Sequence, residues 1–416
     1  MKKILALLLA AVMVFSLAAC AKEPANDNST PAPAEDLKVG FIFLHDENST
    51  YDKNFIDAAI AACENMGVEM VQKTQIPESN ACYDAAVELI EVEDCDIIFA
   101  DSFGHESFLM KAAEEYPDVE FCHATGTQAH TANLKNFHNA FAHIYQGRYL
   151  AGVVAGLKLK EMMAADSTIV PKMGYVGAFT FAEVMSGYTS FYLGAKSIVP
   201  EVTMDVKFTG SWYDETKEKQ AAQALIDGGC VLISQHADSM GAPTACENAK
   251  IPNVSYNGST AAACPETFLI SSRINWVPYF EYMITQVKNG AAIDTDWAGT
   301  IENGAVALTD LGKAAAAGTA DKLAEVKAGL IDGSINVFDT ANFTLKVDAE
   351  NGLNAKATVD ANGKLTNYNA DVDTDEAYAG DTEAVENGIF YESKHRSGPY
   401  FDIEIDGITL LDRAYG

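Results

Sequence analysis

Short apolar runs alternate with longer amphipathic segments from residue 37 to about residue 272. The short runs are rich in β-branched and aromatic residues, as strands are, whereas apolar positions in the longer segments follow the helical period. Strands are predicted at 38–44, 69–73, 96–100, 120–124, 174–177, 203–208, 231–235, 253–256 and 268–271. Helices are predicted at 53–66, 80–92, 108–115, 145–161, 183–198, 214–227, 240–249 and 276–288. This alternation is typical of a parallel sheet flanked by helices.

A polar stretch at 160–172, which includes Pro171, divides the series into two similar arrays. We therefore predict an α/β fold with two doubly wound parallel-sheet lobes joined by a hinge, plus a C-terminal extension. The predicted segments are a signal peptide (1–19), a lipidated Cys with a flexible tether (20–36), the first lobe (37–160), the second lobe (161–272), a crossover with helices that complete both lobes (273–339) and an acidic C-terminal extension (340–416). Ligands of open parallel sheets bind beyond the carboxyl ends of the strands, so two facing lobes would form a cleft there.

The first twenty residues have the layout of an export signal. Lys2 and Lys3 precede an apolar run at 4–15 that is too short to span a bilayer comfortably. The tetrapeptide LAAC that ends at Cys20 resembles the lipobox of bacterial lipoproteins, in which the cysteine becomes the acylated N-terminus. Ordinary cleavage with Cys20 incidental is the alternative. We expect attachment to the membrane by the lipid anchor only, with the folded part on the outer side.

Composition excludes some partners and cofactors. The 416 residues include 28 Lys and Arg against 59 Asp and Glu, and the net charge of −31 opposes binding to nucleic acid. The seven cysteines after Cys20 show no CxxC spacing, and several lie in apolar runs, so buried free thiols are favoured over disulfides. No cofactor or metal is expected. The acidic run at 371–375 suggests a calcium loop, but it fails the spacing of an EF-hand.

The loops after the predicted strands carry a chemically consistent set of side chains. Aromatic rings and carboxylate or amide groups recur at nearly every loop, whereas clustered Lys and Arg do not. A flat heteroaromatic ring is bound by stacking and by hydrogen bonds at its edge, and carboxylates accept well from a ribose diol. The candidate ligand-binding residues are Tyr51, Asp52, Phe55, Asp101, Ser102, Phe103, Phe179, Trp212, His236, Asp238, Asn257 and Trp276.

A phosphorylated ligand is disfavoured, because neither a GxxxxGK[ST] loop nor a GxGxxG loop occurs. The pattern therefore favours an uncharged base or nucleoside. Each candidate also has a purely structural interpretation. Phe103 and Phe179 could cap the core, Asp52 and Asp101 could cap helices, and His236 could be a structural histidine.

At these loops the chain resembles the basic membrane protein family of bacterial substrate-binding lipoproteins, the purine nucleoside receptors of ABC importers. The similarity is closest to the branch that includes adenine-binding and Med-like members, and it covers roughly residues 37–289. The segments that carry it are 52–55, 99–104, 147–152, 174–179 with 183–184, 212–214, 235–239 and 275–279. The resemblance implies a type I periplasmic-binding-protein fold, in which two α/β lobes joined by crossover strands close on a purine.

The resemblance also implies roles for single residues. Phe55 or Tyr51 in the first lobe and Phe179 or Trp212 in the second become candidates for stacking on the base, and Asp238 becomes a polar anchor. Relatives commonly follow the Asp-Lys-x-Phe motif with Asn, where this chain has Ile56. One polar contact of the family is therefore missing here.

We expect an extracytoplasmic, lipid-anchored receptor of an ABC importer, which captures a purine nucleoside or nucleobase and delivers it to the permease and ATPase subunits. The expected state is a monomer without enzymatic activity. Two alternatives stay open at this stage. One is a nucleoside hydrolase that uses Asp46, Asp52 or Asp101, and the other is a sensor domain for a membrane signalling partner.

Overall fold

The structure, a computed structural model, describes residues 37–372 and 382–413. The predicted signal peptide, Cys20 and tether lie outside the described residues, and so does most of the acidic run at 371–375. Within the described part, none of the helices is long and apolar enough to cross a bilayer.

Six strands form the first sheet in the order β11-β5-β4-β3-β1-β2, and every pair in it is parallel. Its helices cover both faces, with α1 and α9 packed together on one face and α2 and α3 on the other. The strands are β1 (Lys38–Ile42), β2 (Glu69–Lys73), β3 (Ile97–Ala100), β4 (Glu120–Ala124), β5 (Phe137–Ala142) and β11 (Asp296–Gly299). The helices are α1 (Thr50–Met66), α2 (Asn80–Glu91), α3 (Glu106–Glu115), α4 (Ala129–Ala132) and α9 (Val277–Lys288).

Seven strands form the second sheet in the order β12-β10-β9-β8-β6-β7-β18, and only the β10–β12 pair of this sheet is antiparallel. The strands are β6 (Lys172–Gly177), β7 (Thr203–Phe208), β8 (Leu232–His236), β9 (Asn253–Tyr256), β10 (Phe268–Ile274), β12 (Val306–Leu308) and β18 (Ile408–Leu410). The helices are α5 (Ile144–Ala165), α6 (Ala182–Lys196), α7 (Glu215–Asp227), α8 (Gly241–Ala249) and α10 (Thr319–Asp332). The predicted α/β fold with two doubly wound lobes is confirmed.

Local chemistry explains where α1 begins and ends. The side chain of Ser49 accepts a hydrogen bond from the backbone N–H of Asp52, which satisfies one free donor of the first turn. Gly67 follows the last turn with φ +62°, a left-handed conformation that glycine adopts without steric cost. The helix that carries Tyr51 and Phe55 is therefore fixed directly behind the loop that follows β1.

The chain passes between the two sheets three times, after β5, after β10 and after β11. Helix α5 packs mainly against α6 and β10, which belong to the second sheet. The packing therefore places the first crossing near residue 143, earlier than the division at 160 that the polar stretch predicts.

Strand β5 is absent from the sequence-based prediction. Its sequence, FHNAFA, contains no β-branched residue and includes His138 and Asn139, yet all six residues are buried. The Nε2 atom of His138 lies 2.8 Å from Glu120, and Asn139 accepts a hydrogen bond from the backbone N–H of Ala129, so tertiary contacts give partners to one nitrogen of the imidazole and to the amide oxygen. Local propensity could not reveal this strand.

The segment after residue 339 packs on the two lobes. It contains β13 (Ala357–Val359), β14 (Leu365–Ala370) and β15 (Thr382–Glu383) in one small sheet, and β16 (Val385–Glu386) with β17 (Ile389–Phe390) in another. Its buried aromatic residues join the core shared by the lobes, and its last strand, β18, pairs with β7 of the second sheet. We call residues 340–413 the C-terminal extension, of which 340–372 and 382–413 are described.

All seven cysteines of the described residues are buried free thiols, as the sequence favoured. They are Cys63, Cys82, Cys95, Cys122, Cys230, Cys246 and Cys264. Burial raises the pKa of each thiol, for example that of Cys63 to about 11, so these thiols are poor nucleophiles at neutral pH.

The C-terminal extension also buries a carboxyl group against α6. Glu392 is 1% exposed and accepts a hydrogen bond of 2.6 Å from the hydroxyl of Ser186. Burial raises the pKa of Glu392 from 4.5 to about 8, so the folded state holds this proton more tightly than the unfolded chain does. The stabilisation is complete below about pH 4.5 and is lost as the pH rises towards 8.

We predict that Glu392→Gln flattens this part of the pH dependence of stability. A single such group contributes up to about 1.4 kcal/mol per pH unit between its two pKa values. Urea unfolding of both proteins at a series of pH values measures the effect, with Glu350→Gln as the matched control, because Glu350 is exposed on the same extension. Equal pH dependence of the wild type and the Glu392→Gln protein would contradict the assignment.

Candidate functional site

A cavity lies between the carboxyl ends of the two sheets. It encloses about 350 Å³ of empty space, counting its open mouth. Both lobes contribute to its lining, which consists of Leu44, His45, Tyr51, Ser102, Phe103, Thr125, Glu183, Trp212, His236 and Asp238.

The topology of both sheets explains this location. In the first sheet the strand order reverses between β1 and β3, and in the second it reverses between β6 and β8. Loops at such switch points diverge and leave a crevice, which is where open parallel sheets bind ligands. The connections after these four strands supply His45, Ser102, Asp238 and, from the first turn of α6, Glu183, so two switch points face each other across the cavity.

Hydrogen bonds fix the side chains of the first lobe. The hydroxyl of Tyr51 donates to the backbone carbonyl of Asp101 at 2.7 Å, and the hydroxyl of Ser102 donates to Glu78 at 2.6 Å. Burial is the largest cause that raises the pKa of Tyr51, so the phenol stays neutral. These contacts hold an aromatic ring and a short polar loop at the cavity wall without any cation.

An aromatic cluster supports the second lobe's wall. Trp212 packs against Phe179 with ring centroids 5.0 Å apart and against Phe181 at 6.0 Å. Phe181 in turn approaches Phe103 of the first lobe, at 5.4 Å. Trp212 thus lines the cavity, while Phe179 lies behind it and holds it in place.

Two carboxyl groups and one imidazole of the second lobe also line the cavity. Asp238 is buried, and desolvation together with the nearby charges of Asp52, Glu218 and Glu183 raises its pKa well above the usual value. His236 lies 3.3 Å from Glu183, and burial lowers its pKa although Glu183 opposes that shift. Asp238 therefore tends to be protonated and His236 neutral, which leaves hydrogen-bonding groups with little net charge.

The two lobes touch around the cavity. The backbone N–H of Thr50 in the first lobe donates to the carbonyl of Asp238 in the second at 3.0 Å, and the Thr50 hydroxyl donates to the same oxygen at 3.2 Å. The rings of His45 and Tyr213 also lie 5.5 Å apart across the lobes. This arrangement is a closed one.

Six of the twelve candidate residues line the cavity, and the structure brings them together from four strand ends or helix starts. They are Tyr51, Ser102, Phe103, Trp212, His236 and Asp238. Their contact with a ligand stays a prediction.

The other six candidates lie outside the lining. Phe55 and Trp276 stack on each other in the core, with centroids 4.5 Å apart and almost no exposure. Phe179 supports Trp212, and Asn257 is buried with φ +62° at the end of β9. A stacking role for Phe55 is therefore not supported, because its ring already packs against protein.

Asp52 and Asp101 form a buried pair behind the loop that follows β1. Asp52 accepts hydrogen bonds from the backbone N–H of His45 and the hydroxyl of Ser49, both at 2.6 Å. Burial opposes its ionisation, but these bonds and the His45 ring hold the pKa of Asp52 below its usual value. Burial and the charge of Asp52 raise the pKa of Asp101, which accepts from the N–H of Leu44. The pair shapes the loop and faces away from the cavity.

Four lining residues are absent from the sequence-based candidates: Leu44, His45, Thr125 and Glu183. Leu44, His45 and Thr125 lie within three residues of a strand end and Glu183 lies in the first turn of the helix that follows β6, so the rule that ligands bind at strand ends could have found them. A choice of candidates that favours aromatic and Asp residues leaves out His45 and Glu183.

A buried arginine supports the cavity floor. Arg148 on α5 is fully buried and donates to the hydroxyls of Tyr175 and Ser234 at 2.8 and 3.0 Å. It also donates to backbone carbonyls of Ser255 and Gln235. Among the described residues it forms no ion pair with a carboxylate. Its hydrogen bonds join β6, β8 and β9, and, in addition to burial, its charge contributes to the lowered pKa of His236.

Charge and metal chemistry limit what the cavity can bind. No Lys or Arg occurs in its described lining. No group of three or more metal-ligating side chains occurs in residues 37–372 and 382–413 either. The walls offer aromatic faces, hydroxyls, carboxyls and imidazoles, which suit a small uncharged ligand with a hydrogen-bonding edge.

Comparisons with known proteins agree with this geometry. Residues 43–339 match the Bmp family, described as ABC transporter substrate-binding protein PnrA-like. A protein of Brucella abortus named purine-binding protein BAB2_0673 is 33% identical over 63% of this chain and 71% of its own length. TsgA13 of Haloferax volcanii, whose name assigns it to glucose binding for an ABC transporter, is 32% identical over 60% of this chain. The match spans 61% of TsgA13.

A solved structure of an ABC transporter solute-binding protein from Aeropyrum pernix K1 has the same fold. It superposes with a TM-score of 0.63 at 17% identity and covers 76% of this chain and 95% of its own. The predicted resemblance and the two-lobed binding-protein fold are therefore confirmed. This chain belongs to the Bmp family of PnrA-like ABC transporter substrate-binding proteins.

Proposed function

We propose that this substrate-binding protein captures a purine nucleobase or nucleoside between its lobes and delivers it to an ABC permease. The observation that carries the proposal is the composition of the interlobe cavity. Tyr51, Phe103 and Trp212 supply aromatic faces, Glu183 and Asp238 supply carboxyls, and no cation occurs in the described lining. A flat, uncharged ring with donors and acceptors at its edge fits that set.

The protonation state of Asp238 sharpens the ligand class. A neutral carboxyl group has one donor and one acceptor side by side, and the edges of purines present a complementary acceptor and donor. An ionised phosphate would lie next to Glu183 without a cation to balance it. The proposal is therefore a nucleoside or base and not a nucleotide.

A sugar is the second candidate, because the name of TsgA13 assigns that relative to glucose. Sugars also bind by stacking on aromatic rings and by hydrogen bonds to carboxylates. The name of the Brucella relative favours a purine. Titration with adenosine, adenine and glucose separates the two, since only the first two contain a planar heteroaromatic ring.

The geometry gives less support to a hydrolase. The carboxylates proposed for that chemistry, Asp52 and Asp101, are buried and do not line the cavity. Asp46 does not line the cavity but lies with Asn48 and Gln75 in a surface groove that adjoins it at Leu44 and His45. A general acid or base must reach the reacting atoms, and none of these three does so from its present position.

Domain closure is the proposed transport mechanism. The interlobe bonds from Thr50 to Asp238 form only when the lobes meet, and a ligand that contacts both lobes favours that state. A permease that recognises the closed surface then receives loaded protein in preference to empty protein. A sensor would use the same closure.

The extracytoplasmic location of this family agrees with the predicted lipid anchor at Cys20. We predict that Cys20→Ala moves the protein from the membrane fraction to the soluble fraction of a bacterial host, since a lipid chain holds it at the surface. Fractionation followed by immunoblotting measures this. Cys264→Ala is the control, because it removes a buried thiol of the folded part. Unchanged membrane association of Cys20→Ala would rule out the anchor.

We predict that Trp212→Ala weakens adenosine binding by about 1–3 kcal/mol through loss of stacking. Isothermal titration calorimetry measures the affinity, and thermal melting checks the fold. Trp297→Ala is the matched control, because Trp297 lies in β11, packs on Tyr279 of α9 and does not line the cavity. Equal affinities of the Trp212→Ala and Trp297→Ala proteins would exclude Trp212 from the site.

We predict that adenosine binding weakens as the pH rises through the raised pKa of Asp238, because the ionised carboxyl loses its donor. Asp238→Asn keeps a donor and an acceptor and should bind with less pH dependence. Asp238→Ala should lose about 1–3 kcal/mol of binding energy at acidic and neutral pH. Titrations of the three proteins across the pH range check this, and identical pH profiles would contradict it.

A further inference from the structure

A second cavity adjoins the first on the side of the C-terminal extension. The two share the lining residues Phe103, Thr125 and Glu183. The second cavity has about 890 Å³ of empty space, counting its wide opening to solvent. Its remaining lining is Thr127, Thr180, Phe181, Ala182, Lys356, Asp371, Arg396, Pro399 and Asp402.

The extension reaches this cavity because it is fixed to both lobes. The backbone N–H and the hydroxyl of Ser397 donate to Asp296 of β11, in the first sheet, at 2.8 and 2.7 Å. Gly398 packs so closely on the first lobe that a Cβ atom there would lie 2.7 Å from the carbonyl of Gly126. Glu392 and β18 hold the same extension to the second lobe. Residues 396–399 therefore form a wall that is fixed to the first lobe and lies between two anchors of the extension on the second lobe.

Arg396 is the group in this wall that points to a ligand. It is 6% exposed and lines the second cavity. Its Nε donates to the carbonyl of Gly398 and one Nη to that of Pro399, at 2.8 and 2.6 Å. Its other Nη donates no hydrogen bond to any of the described residues.

Arg396 also lacks a direct counter-charge. Glu106, Asp296 and Asp371 lie close enough to influence it. However, no carboxylate oxygen of the described residues lies within 4.0 Å of the guanidinium, whereas Lys356 pairs with Asp371 and Asp402. A buried guanidinium with a free donor has much to gain from an acceptor.

We propose that the C-terminal extension completes the ligand site and that Arg396 selects ligands that carry an oxygen-rich substituent on the base. The proposal rests on the proposed function, in which the base lies in the first cavity. The hydroxyls of a ribose accept hydrogen bonds from Arg396 and donate to Glu183 or Asp402. The hydroxyls of Thr127 and Thr180 can donate to the ribose or accept from it. A nucleoside therefore uses both cavities, whereas a free base uses one.

The test compares adenosine with adenine by isothermal titration calorimetry. The wild-type protein should bind adenosine at least about tenfold more tightly than adenine. Arg396→Gln should lower the affinity for adenosine about 10- to 100-fold and leave that for adenine within about twofold, because only the nucleoside reaches Arg396. The matched control is Arg413→Gln, since Arg413 is an exposed arginine of the same extension that pairs with Glu404.

A second variant covers the case in which Arg396→Gln does not fold, as judged by thermal melting. Thr180→Tyr fills the second cavity from a partly exposed turn and should reduce adenosine binding selectively. If adenosine and adenine bind equally and neither variant separates them, the extension is not part of the site, although the proposed function stands. If the wild type binds neither compound, the proposed function fails and this proposal fails with it.

Discussion

The site depends on one constraint, which is that the strands of each lobe run parallel and end facing the other lobe. Every residue that lines the interlobe cavity lies at or just after the carboxyl end of a strand, or in the first turn of the helix that follows. Three chain crossings keep the two sheets joined, so the loops of one lobe face those of the other. The cavity is a consequence of topology before it is a consequence of particular side chains.

Burial then decides the chemistry of that cavity. Desolvation raises the pKa of Asp238 and lowers that of His236, so both groups tend towards their neutral forms. No Lys or Arg lines the interlobe cavity itself, since Arg148 is buried outside it and Lys356 and Arg396 line the second cavity. A neutral, flat ligand is therefore the one that loses least when it leaves water.

Most of the fold and about half of the site could be predicted from the sequence. Alternating apolar runs reveal buried parallel strands, and strand ends indicate where ligands bind. Phe55 and Trp276 do not line the cavity, because they pack on each other in the core. The sequence shows that an aromatic residue lies near a strand end, but it does not show whether the ring faces the core or the cavity. Glu183 was missed because an acidic residue at the start of a helix is equally well explained by the helix dipole. The role proposed for Arg396 could not be predicted in this way. Arg396 is distant in sequence from the other site residues and lies beyond the family match, which ends at residue 339.

A crystal structure of the protein with adenosine tests the central claim most directly. The account predicts the purine ring between the lobes, against Trp212 and within hydrogen-bonding distance of Asp238, and the ribose directed towards the extension. A ligand bound elsewhere, with Trp212 and Asp238 in contact only with protein or solvent, would contradict it.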